Sequence, residues 1–583
     1  MRPVNITIIL EQLFTQVLDH LFPSHGVTPR LEKTKQIIHG DIATPVALIL
    51  SKILKKPPRV IAEAIIQDFP ESPWVDHLEV AGAGFVNIFL TPQAKHSVLH
   101  MILKNPHQWG QSFPSKPQTI LLEYVSSNPT GPLHVGHGRG AAYGDSLANL
   151  LEKAGHKVWR EYYVNDAGRQ MDILTLSTWI RYLNCLGQDI PFPTKGYQGE
   201  YVIEMANHLL QKHPNRWMAA KKEVLHPSLW AHGETNSEAE EEILIDQLIQ
   251  NAKHYLKTEY HTLLQNVLAF QLEDCQADLA EFGVVFDNWF SEQSLFDSGL
   301  VAEVIEELDK RGYLYQQDGA TWFRSTAFQD EKDRVVQREN GLYTYFASDI
   351  AYHVQKWRRG LDRYINVWGA DHHGYIPRVR AALQALGYDV SQLEVPLIQF
   401  VSLFQNGQKL SMSTRSGQFI TLRELRTEVG KSAARFTYLL RKSDQHLDFD
   451  LDLAKAQNTD NPVYYVQYAY ARIHRLLKKW GGDVSTLTEV SYTPLIHPSE
   501  FHLLEQIRIY PELIAEAAHE RAPHILAFYL RELARELHSF YNAVPILSED
   551  EPAKLARLAL IYAISLTIKD GLTLLGVDTV IDM

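Results

Sequence analysis

Two histidines three residues apart, His134 and His137, are the side chains of this sequence best placed for phosphate chemistry. They lie in TGPLHVGHGRG, residues 130–140, where their spacing puts both rings on one face of a first helical turn. Ring nitrogens in that position can donate hydrogen bonds to phosphate oxygens, assisted by the positive end of the helix dipole. Gly136, between them, would let a flat base or ribose approach the backbone closely.

Two other interpretations of this histidine pair remain open from the residues alone. A helix cap followed by two structural histidines would give the same short motif, which recurs by chance. A metal site would need a third ligand, which is absent from the nearby sequence, and the positive end of a helix disfavours a cation. The phosphate interpretation is favoured because a predicted strand and loop precede the motif and a predicted helix follows it.

The surrounding elements predict an α/β fold with a Rossmann-like parallel sheet. A strand at 119–125 (TILLEYV) precedes the motif, a helix covers 134–154, and a second strand covers 158–164. A long, mostly helical insertion over about 165–314 is expected to split the sheet. The elements predicted after it are a strand at 364–368, a helix at 377–386 and a strand at 397–404.

The two ends of the chain differ from this middle part. The first hundred residues predict a small α+β unit with helices at 6–21 and 44–54 and a strand at 85–90. A proline-containing stretch at 105–117 predicts a linker, and from 462 to the end almost every residue is expected to be helical.

Size and composition are typical of a soluble globular protein with about three domains: 583 residues, 45% hydrophobic and 21% charged. Neither a signal peptide nor a membrane span is predicted, because polar residues interrupt every long apolar run. Cys185 and Cys275 are too few for a disulfide framework or a thiolate zinc site, which favours a cytoplasmic location. The net charge of −13 does not exclude RNA, since one face of a large chain can be basic.

The His134-Val135-Gly136-His137 motif resembles the HIGH signature of class I aminoacyl-tRNA synthetases. The longer stretch EYVSSNPTGPLHVGHGRGAAYGD is similar to the form found in arginyl-tRNA synthetases, and the resemblance extends over essentially the whole chain. It implies a Rossmann-like catalytic domain with a helical insertion, an N-terminal α+β domain and a C-terminal α-helical bundle. The implied domains are 1–115 for contact with the tRNA elbow, 116–425 for catalysis, 426–461 for a connecting stem-contact segment, and 462–583 for anticodon binding.

The second class I signature, KMSKS, has a degenerate counterpart in NGQKLSMSTRSG, residues 406–417. Ser411 and Thr414 stand where the family pattern has its two lysines, so Lys409 and Arg415 are the expected replacements near the triphosphate. The resemblance also implies ATP contacts from Met412 and Ser413. Taken on its own, a polar loop of this kind is more typical of a surface turn; its place in chain order after the histidine motif favours the signature.

Recognition of arginine would require fixed carboxylates and hydrogen-bond acceptors, because a guanidinium is planar and permanently charged. Glu123 ends the first strand, and Asp349 lies in YFASDIAYH with Tyr345 one helical turn before it. The resemblance assigns these three residues to the arginine side chain. It assigns Ser126, Asn128, His134 and Asp371 to the rest of the amino acid. Ordinary ion pairs are the alternative role for both acids.

In WGADHHGYIPRVRAAL, residues 368–383, the resemblance implies contacts of Gly369, Asp371 and His372 with ATP. A metal site at Asp371, His372 and His373 is the alternative, and it is disfavoured because neighbouring residues of an extended loop point apart.

An amphipathic helix, VYYVQYAYARIHRLLKKW, combines aromatic residues with a basic end and would suit an unpaired RNA loop. The alternative is an aromatic stripe packed in a helical core. The resemblance implies anticodon contacts from Tyr465, Tyr468, Tyr541 and the terminal Met583.

Taken together, the resemblance implies an arginine–tRNA ligase acting on L-arginine, ATP with Mg²⁺, and tRNA(Arg). Arginyl-adenylate would form first and then react with the terminal adenosine 2′-hydroxyl, with catalysis by His134, His137, Lys409 and Arg415. A requirement for bound tRNA during arginine activation is also expected. We expect a monomer without a structural metal and without membrane contact. The alternatives are a class I synthetase for another amino acid, lysine above all, and a non-catalytic RNA-binding relative.

Overall fold

The computed structural model describes residues 6–34, 39–224, 237–410 and 420–583. Its first unit is a four-stranded antiparallel sheet with three helices packed against it around one apolar core. The elements are α1 (Ile6–Leu21), β1 (Glu32–Lys33), β2 (Ile42–Thr44), α2 (Val46–Leu54), α3 (Pro58–Asp68), β3 (Val75–Ala81) and β4 (Phe85–Leu90).

Two of the three elements predicted in this unit have the expected bounds. Helix α1 matches because buried apolar residues recur along it at helical spacing, and β4 matches its predicted range. The predicted helix 44–54 begins later, at Val46, because Thr44 pairs with Val86 in the sheet.

The residues after β4 form a firm connection in place of the predicted linker. Thr91 caps α4 (Pro92–Lys104), a helix not predicted from the sequence. Nε2 of His96 lies 3.0 Å from the carbonyl oxygen of Leu495. The indole N–H of buried Trp109 donates to Thr567 at 3.0 Å. This segment therefore fastens the N-terminal unit to the C-terminal helices.

The middle of the chain contains a parallel sheet, its crossover helices, an inserted helical group and several short strand pairs. In chain order the elements are β5 (Thr119–Glu123), α5 (Val135–Lys153), β6 (Lys157–Val164), α6 (Arg169–Cys185), α7 (Glu200–Lys212), α8 (Lys221–Val224), α9 (Glu238–Leu256), α10 (Thr258–Glu281), β7 (Asn288–Ser291), α11 (Gln293–Asp297), α12 (Leu300–Lys310), β8 (Leu314–Gln317), β9 (Ala320–Phe323), β10 (Arg334–Gln337), α13 (Tyr345–Arg358), β11 (Arg363–Asn366), β12 (Trp368–Gly369), α14 (Ile376–Ala385), β13 (Leu393–Glu394), β14 (Leu397–Ile398), β15 (Val401–Gln405), β16 (Gln408–Lys409), α15 (Leu422–Val429), α16 (Lys431–Tyr438), β17 (Leu447–Asp450) and α17 (Leu451–Lys455).

The five parallel strands lie in the order β13–β11–β5–β6–β7. The order reverses between β5 and β11, where Glu123 lies beside Asn366 at the carboxyl ends of both strands. Ligands of open α/β sheets bind in the crevice at such a reversal. The predicted parallel sheet is confirmed, and it opens this crevice next to Glu123.

The predicted insertion over 165–314 is wrong at its second boundary. Helices α6–α10 have a core of their own, but the chain returns to the parallel sheet at β7, which pairs with β6. The three antiparallel strands β8–β10 were not predicted. Strand β7 is only four residues long and lacks an alternating pattern of burial, so its sequence carries no strand signal.

The strand predicted at 397–404 is two strands in two different sheets. Strand β14 pairs with β12, whereas β15 pairs with β16 and β17. Phe400 lies between them and is 61% exposed, which shows that the apolar run does not follow one buried face.

Helix α5 lies unusually close to β5. A Cβ added at Gly144 would be 2.2 Å from Cγ of Tyr124, so only glycine allows this approach. Near the start of the helix, the buried guanidinium of Arg139 donates to the carbonyl oxygens of Gln399, Lys442 and Gln445 at 2.7–3.0 Å. The histidine end of α5 is therefore fixed both to β5 and to the chain around β15.

The last part of the chain is helical as predicted, with α18 (Pro462–Trp480), α19 (Pro498–Arg508), α20 (Tyr510–His519), α21 (Pro523–Ala543) and α22 (Glu551–Leu574). Buried Arg435 joins this bundle to α5, since its guanidinium pairs with Asp145 at 2.5 Å and donates to the carbonyl of Leu575 at 2.9 Å. Among the described helices, none is both long and apolar enough to span a membrane.

Candidate active site

The histidine pair lies at the start of α5 with its rings stacked, 3.6 Å between centroids. The backbone N–H of Gly136 donates to Nδ1 of His134 at 3.1 Å, and that of His134 donates to Nδ1 of His137 at 3.2 Å. A backbone N–H only donates, so both Nδ1 atoms are acceptors and both ring protons are on Nε2. Burial lowers the pKa of both histidines, and for His137 the neighbouring His134 lowers it further. The pair is therefore neutral, with an N–H donor on each ring.

Backbone N–H groups of the first turn of α5 are already used within the protein. Those of Val135, Gly136 and His137 donate to the Ile420 carbonyl, the His134 ring and the His134 carbonyl. Both rings make these backbone contacts through Nδ1, so their Nε2–H groups are the candidate donors to a phosphate. A Cβ added at Gly136 would come 2.9 Å from Cε1 of His134, so this glycine also makes room for the cap.

The chain on both sides of His134 pairs with the residues that follow the degenerate second signature. The N–H of Leu422 donates to the Leu133 carbonyl at 2.7 Å, and that of Val135 donates to the Ile420 carbonyl at 3.2 Å. Ile420 and Leu422 are therefore joined directly to the chain on both sides of His134.

The second signature itself is only partly described. Lys409 ends β16 and is exposed. Ser411, Met412, Ser413, Thr414 and Arg415 lie outside the described residues. Their ATP contacts stay predictions.

The loop after β5 turns sharply through two left-handed residues, Val125 (φ 67°) and Ser126 (φ 42°). Such φ values are rare for any residue with a side chain and rarest for a β-branched valine. The turn brings Oγ of Ser126 back to Glu123, to which it donates at 3.0 Å, while it accepts from the N–H of Tyr163 at 3.1 Å. The amide of Asn128 lies 3.1 Å from that of Asn165 at the outer part of the loop.

Three carboxylates converge beside this loop: Glu123, Glu292 and Asp349, which we call the carboxylate pocket. The hydroxyl of Tyr375 donates to Asp349, and Oγ of Ser348 donates to Glu292 at 2.7 Å. The two predicted acids thus share one site, and Glu292 joins them from the carboxyl end of β7.

Electrostatics in the carboxylate pocket favour a bound cation. Burial raises the pKa of Asp349 to about 7; the Tyr375 hydrogen bond lowers it, Glu292 and Glu123 raise it, and Lys356 lowers it. Burial also raises the pKa of Glu292. A guanidinium among these groups would favour their ionised forms.

A buried lysine reaches the same pocket from α13. The Lys356 ammonium donates to Glu123 and, at 2.7 Å, to Oδ1 of Asn366. The amide nitrogen of Asn366 lies 2.9 Å from Nε2 of His353, whose Nδ1 lies 2.7 Å from the Asp349 carbonyl oxygen. Burial lowers the pKa of His353 to about 3, so the lysine is the cation of this group.

Three family models together match most of the chain. The model for the catalytic domain of class I (R) tRNA synthetases matches residues 98–187 and 208–459. The models for the arginyl tRNA synthetase N-terminal domain and the DALR anticodon binding domain match 9–90 and 466–583. The arginine–tRNA ligase of Nitrosomonas eutropha is 53% identical over 97% of each chain, and that of Aromatoleum aromaticum is 54% identical over 98% of each.

The chain belongs to the arginyl-tRNA synthetase family. The arginyl-tRNA synthetase of Thermus thermophilus, covered over 99% of this chain and 100% of its own, superposes with a TM-score of 0.72. At 23% identity that likeness concerns the fold. Family membership removes the alternative of a synthetase for lysine.

Tyr345, a residue that the arginyl-tRNA synthetase resemblance assigns to the arginine side chain, begins α13 one turn before Asp349, as predicted. It is 52% exposed and its hydroxyl lies beside Gly168, so it stands at the rim of the pocket.

The adenosine-contact segment of this arginyl-tRNA synthetase differs locally from the prediction. Asp371 and His372 lie in an exposed 3-10 helix, Ala370–Tyr375, so the extended-loop reason for disfavouring a metal there was wrong. Oδ1 of Asp371 stands so close to Gly369 that a Cβ added there would be 2.4 Å away. Across the ranges that the structure describes, no group of three His, Cys, Asp or Glu side chains could hold a metal.

The four predicted anticodon positions lie together between α18, α21 and the chain end. The ring of Tyr468 stacks on that of His538 with 5.5 Å between centroids, and the ring of Tyr465 is tilted against it at 4.8 Å. The guanidinium of Arg472 lies 3.5 Å above Tyr541, and that of Arg475 donates to the Met583 backbone carbonyl at 3.1 Å. Met583 is exposed and the three tyrosines are partly exposed, while Tyr465 and Tyr541 also pack against the hydrophobic core, so the anticodon contacts stay predictions.

Four residues of the crevice were missed from the sequence: Tyr163, Glu292, Lys356 and Asn366. The spacing of Asp349, His353 and Lys356, which puts them on one face of α13, was a usable signal for the lysine. Glu292 follows a strand that the sequence did not reveal, so it had no comparable signal.

Proposed function

We propose that the crevice between β5 and β11 activates arginine with ATP and passes it to tRNA(Arg). As a member of the arginyl-tRNA synthetase family, the chain is an aminoacyl-tRNA ligase for arginine. The observation that carries the residue assignments is the position of the carboxylate pocket at the strand-order reversal, on the loop that leads to the neutral histidine pair.

In the first step, a carboxylate oxygen of arginine forms a bond to the α-phosphorus of ATP, and the bond from that phosphorus to pyrophosphate breaks. The Nε2–H groups of His134 and His137 donate to phosphate oxygens as negative charge builds on the leaving group. Being neutral, the rings supply directed donors without changing the charge of the site.

The carboxylate pocket holds the arginine side chain during that step. Asp349 and Glu292 would accept from the guanidinium, whose rigid fork of donors matches two carboxylates. Glu123 and Ser126 position the arginine from the β5 side, and Asn128 and Tyr345 contact it from the rim. Fixing the reactants in this way reduces the entropy loss before reaction.

In the second step, the 2′-hydroxyl oxygen of the terminal tRNA adenosine bonds to the arginyl carbonyl carbon. The bond to AMP breaks, and the hydroxyl proton is taken up by the released phosphate. No covalent bond to the protein is required in either step.

Contacts with ATP outside the histidine pair are proposed for Gly369, Asp371 and His372, with Lys409 and Arg415 taking the place of the signature lysines. Mg²⁺ would accompany ATP and offset phosphate charge. Because the described residues provide no three-ligand cage for it, no step is assigned to the ion. Tyr465, Tyr468, Tyr541 and Met583 are proposed to hold the anticodon, and residues 1–115 the tRNA elbow. A cytoplasmic monomer remains our expectation.

The test is ATP–pyrophosphate exchange by the whole chain with each amino acid, with and without tRNA. Exchange with arginine is expected, with little or none when tRNA is absent. Aminoacylation of total tRNA with labelled arginine completes the assay. Exchange supported by lysine but not by arginine plus tRNA would contradict the proposal, and the absence of any exchange would favour a non-catalytic relative.

A further inference from the structure

We propose that Lys356 is a positioning residue that keeps the carboxylate pocket anionic at neutral pH and so prepares it for a guanidinium. This inference rests on the proposed function, because it assumes that the pocket receives arginine.

The contacts of Lys356 are those of a buried positive charge that balances a neighbouring carboxylate. Its side chain is fully buried, and its ammonium donates to Glu123 and to Oδ1 of Asn366. The same nitrogen lies 4.2 Å from the centroid of the Tyr352 ring. A buried ammonium persists only where an anion and hydrogen-bond acceptors surround it, and here one carboxylate, one amide oxygen and one ring face do so.

Lys356 also fixes the orientation of Glu123. One carboxylate oxygen of Glu123 accepts from Lys356, and the other accepts from Ser126 at 3.0 Å. Each oxygen can accept a further hydrogen bond. Glu123 is therefore held as an acceptor of fixed direction, which a guanidinium can meet without reorganising it.

Lys356 supplies the positive charge of the pocket and, after the larger effect of the Tyr375 hydrogen bond, lowers the pKa of Asp349. Three carboxylates and one ammonium leave two negative charges when all are ionised. The groups facing Asp349 are Glu123 from β5, Tyr163 from β6, Glu292 after β7, Lys356 from α13 and Tyr375 from the 3-10 helix. Lys356 is the cation among them, so it opposes the effect of burial and of both acids on Asp349.

The decisive experiment is Lys356→Met in the full chain, assayed by tRNA-dependent ATP–pyrophosphate exchange from pH 6 to 9. We expect kcat/KM for arginine to fall about 100-fold, with KM for ATP nearly unchanged. The acid limb of the arginine profile should move about one pH unit upward, because Asp349 loses the positive charge that favours its ionisation. Lys356→Arg should restore the position of the limb even if the rate stays lower.

Lys153→Met is the matched control. It removes another largely buried lysine–carboxylate pair, 2.8 Å from Asp570, outside the pocket. It should lower the melting temperature without moving the arginine profile. A uniform loss in Lys356→Met with an unmoved acid limb would overturn the inference and leave Lys356 as a purely structural residue.

Asn366→Ala keeps the inference testable if Lys356→Met does not fold. It removes one acceptor from the ammonium, and KM for arginine should rise about tenfold. No change in that KM would also overturn the inference. If the wild-type protein fails to exchange with arginine plus tRNA, the proposed function fails instead, so the two failures are distinct.

Discussion

The histidine pair and the carboxylate pocket lie at opposite ends of the loop between β5 and α5, and they are ordered by different means. Both rings of the pair are held through Nδ1 by backbone N–H groups of α5 and its cap. The pocket is held by side chains from separated segments: Ser126 after β5, Ser348 and Lys356 on α13, and Tyr375 in the 3-10 helix. The histidine pair is therefore a local arrangement, whereas the carboxylate pocket depends on the whole tertiary fold.

The two regions also differ in charge. The histidine pair is neutral because burial lowers the pKa of each ring. The pocket carries an excess of negative charge, with the pKa of Asp349 raised to about 7. Direction is therefore the main contribution at the phosphate end, and charge is the main contribution at the arginine end.

The largest effect is expected from His134→Asn, which separates the role of His134 as a hydrogen-bond donor from its role as a helix cap. In His134→Asn, the amide oxygen can still accept from the Gly136 N–H, but the Nε2–H donor is lost. Exchange should fall about 10²–10³-fold in kcat, the usual effect of removing one donor to developing charge. The free energy of unfolding should change by less than about 1 kcal/mol because a cap is retained. Chemical denaturation measures the free energy of unfolding, and ATP–pyrophosphate exchange kinetics measure kcat.

His134→Ala provides the contrast, since it removes the cap and the donor together. If His134→Asn kept wild-type exchange rates, the rings would be caps only, and the supposed difference between the two regions would disappear.

The next effect is a pH dependence confined to arginine. Asp349 must be ionised to pair with the guanidinium, and its folded pKa is about 7, above its ordinary value. KM for arginine should therefore rise about tenfold from pH 8 to pH 6, as Asp349 takes up a proton. KM for ATP should change less over that range, because burial lowers the pKa of both histidines and each Nδ1 already accepts a backbone hydrogen bond, which opposes protonation.

Asp349→Asn is the control for this profile. It should bind arginine poorly at every pH and lose the slope between pH 6 and 8. Equal slopes for arginine and ATP would show that some group common to both regions titrates instead.

The smallest effect is expected from Gly144→Ala, which should affect the histidine pair and the carboxylate pocket together. Gly144→Ala places a Cβ against Tyr124, the residue after Glu123, and so pushes α5 away from β5. We expect a loss of about 1–3 kcal/mol in the free energy of unfolding, typical of overpacking. KM for ATP and for arginine should rise by similar small factors. Gly140→Ala, where an added Cβ meets no atom within 4 Å, is the matched control on the same helix.

The sequence predicted more of the histidine pair and its neighbouring elements than of the carboxylate pocket. The strand before His134, the helix after it and Glu123 at the strand end were all predictable, because each rests on patterns within some thirty residues. Tyr345 and Asp349 were assigned by the resemblance to arginyl-tRNA synthetases, and the structure places them one turn apart on α13. Glu292 and Asn366 could not be inferred, since their role depends on which strands become neighbours, and β7 is too short to reveal itself.

The errors have the same origin. The apolar run at 397–404 satisfies the strand pattern, yet it contributes to two sheets because exposed Phe400 interrupts it. Trp109 lies in a stretch with a linker composition but fills a site against α22. Composition indicates the local conformation that a segment prefers. The pairing of 397–404 with two sheets and the packing of Trp109 against α22 depend instead on segments far away in the chain.

The pairing of Leu133 and Val135 with Leu422 and Ile420 joins two distant parts of the chain through main-chain groups alone. Because no side chain takes part, non-proline substitutions at these four positions leave the same hydrogen bonds available. The backbone therefore sets how the start of α5 meets the start of α15, and this junction tolerates variation in side-chain identity.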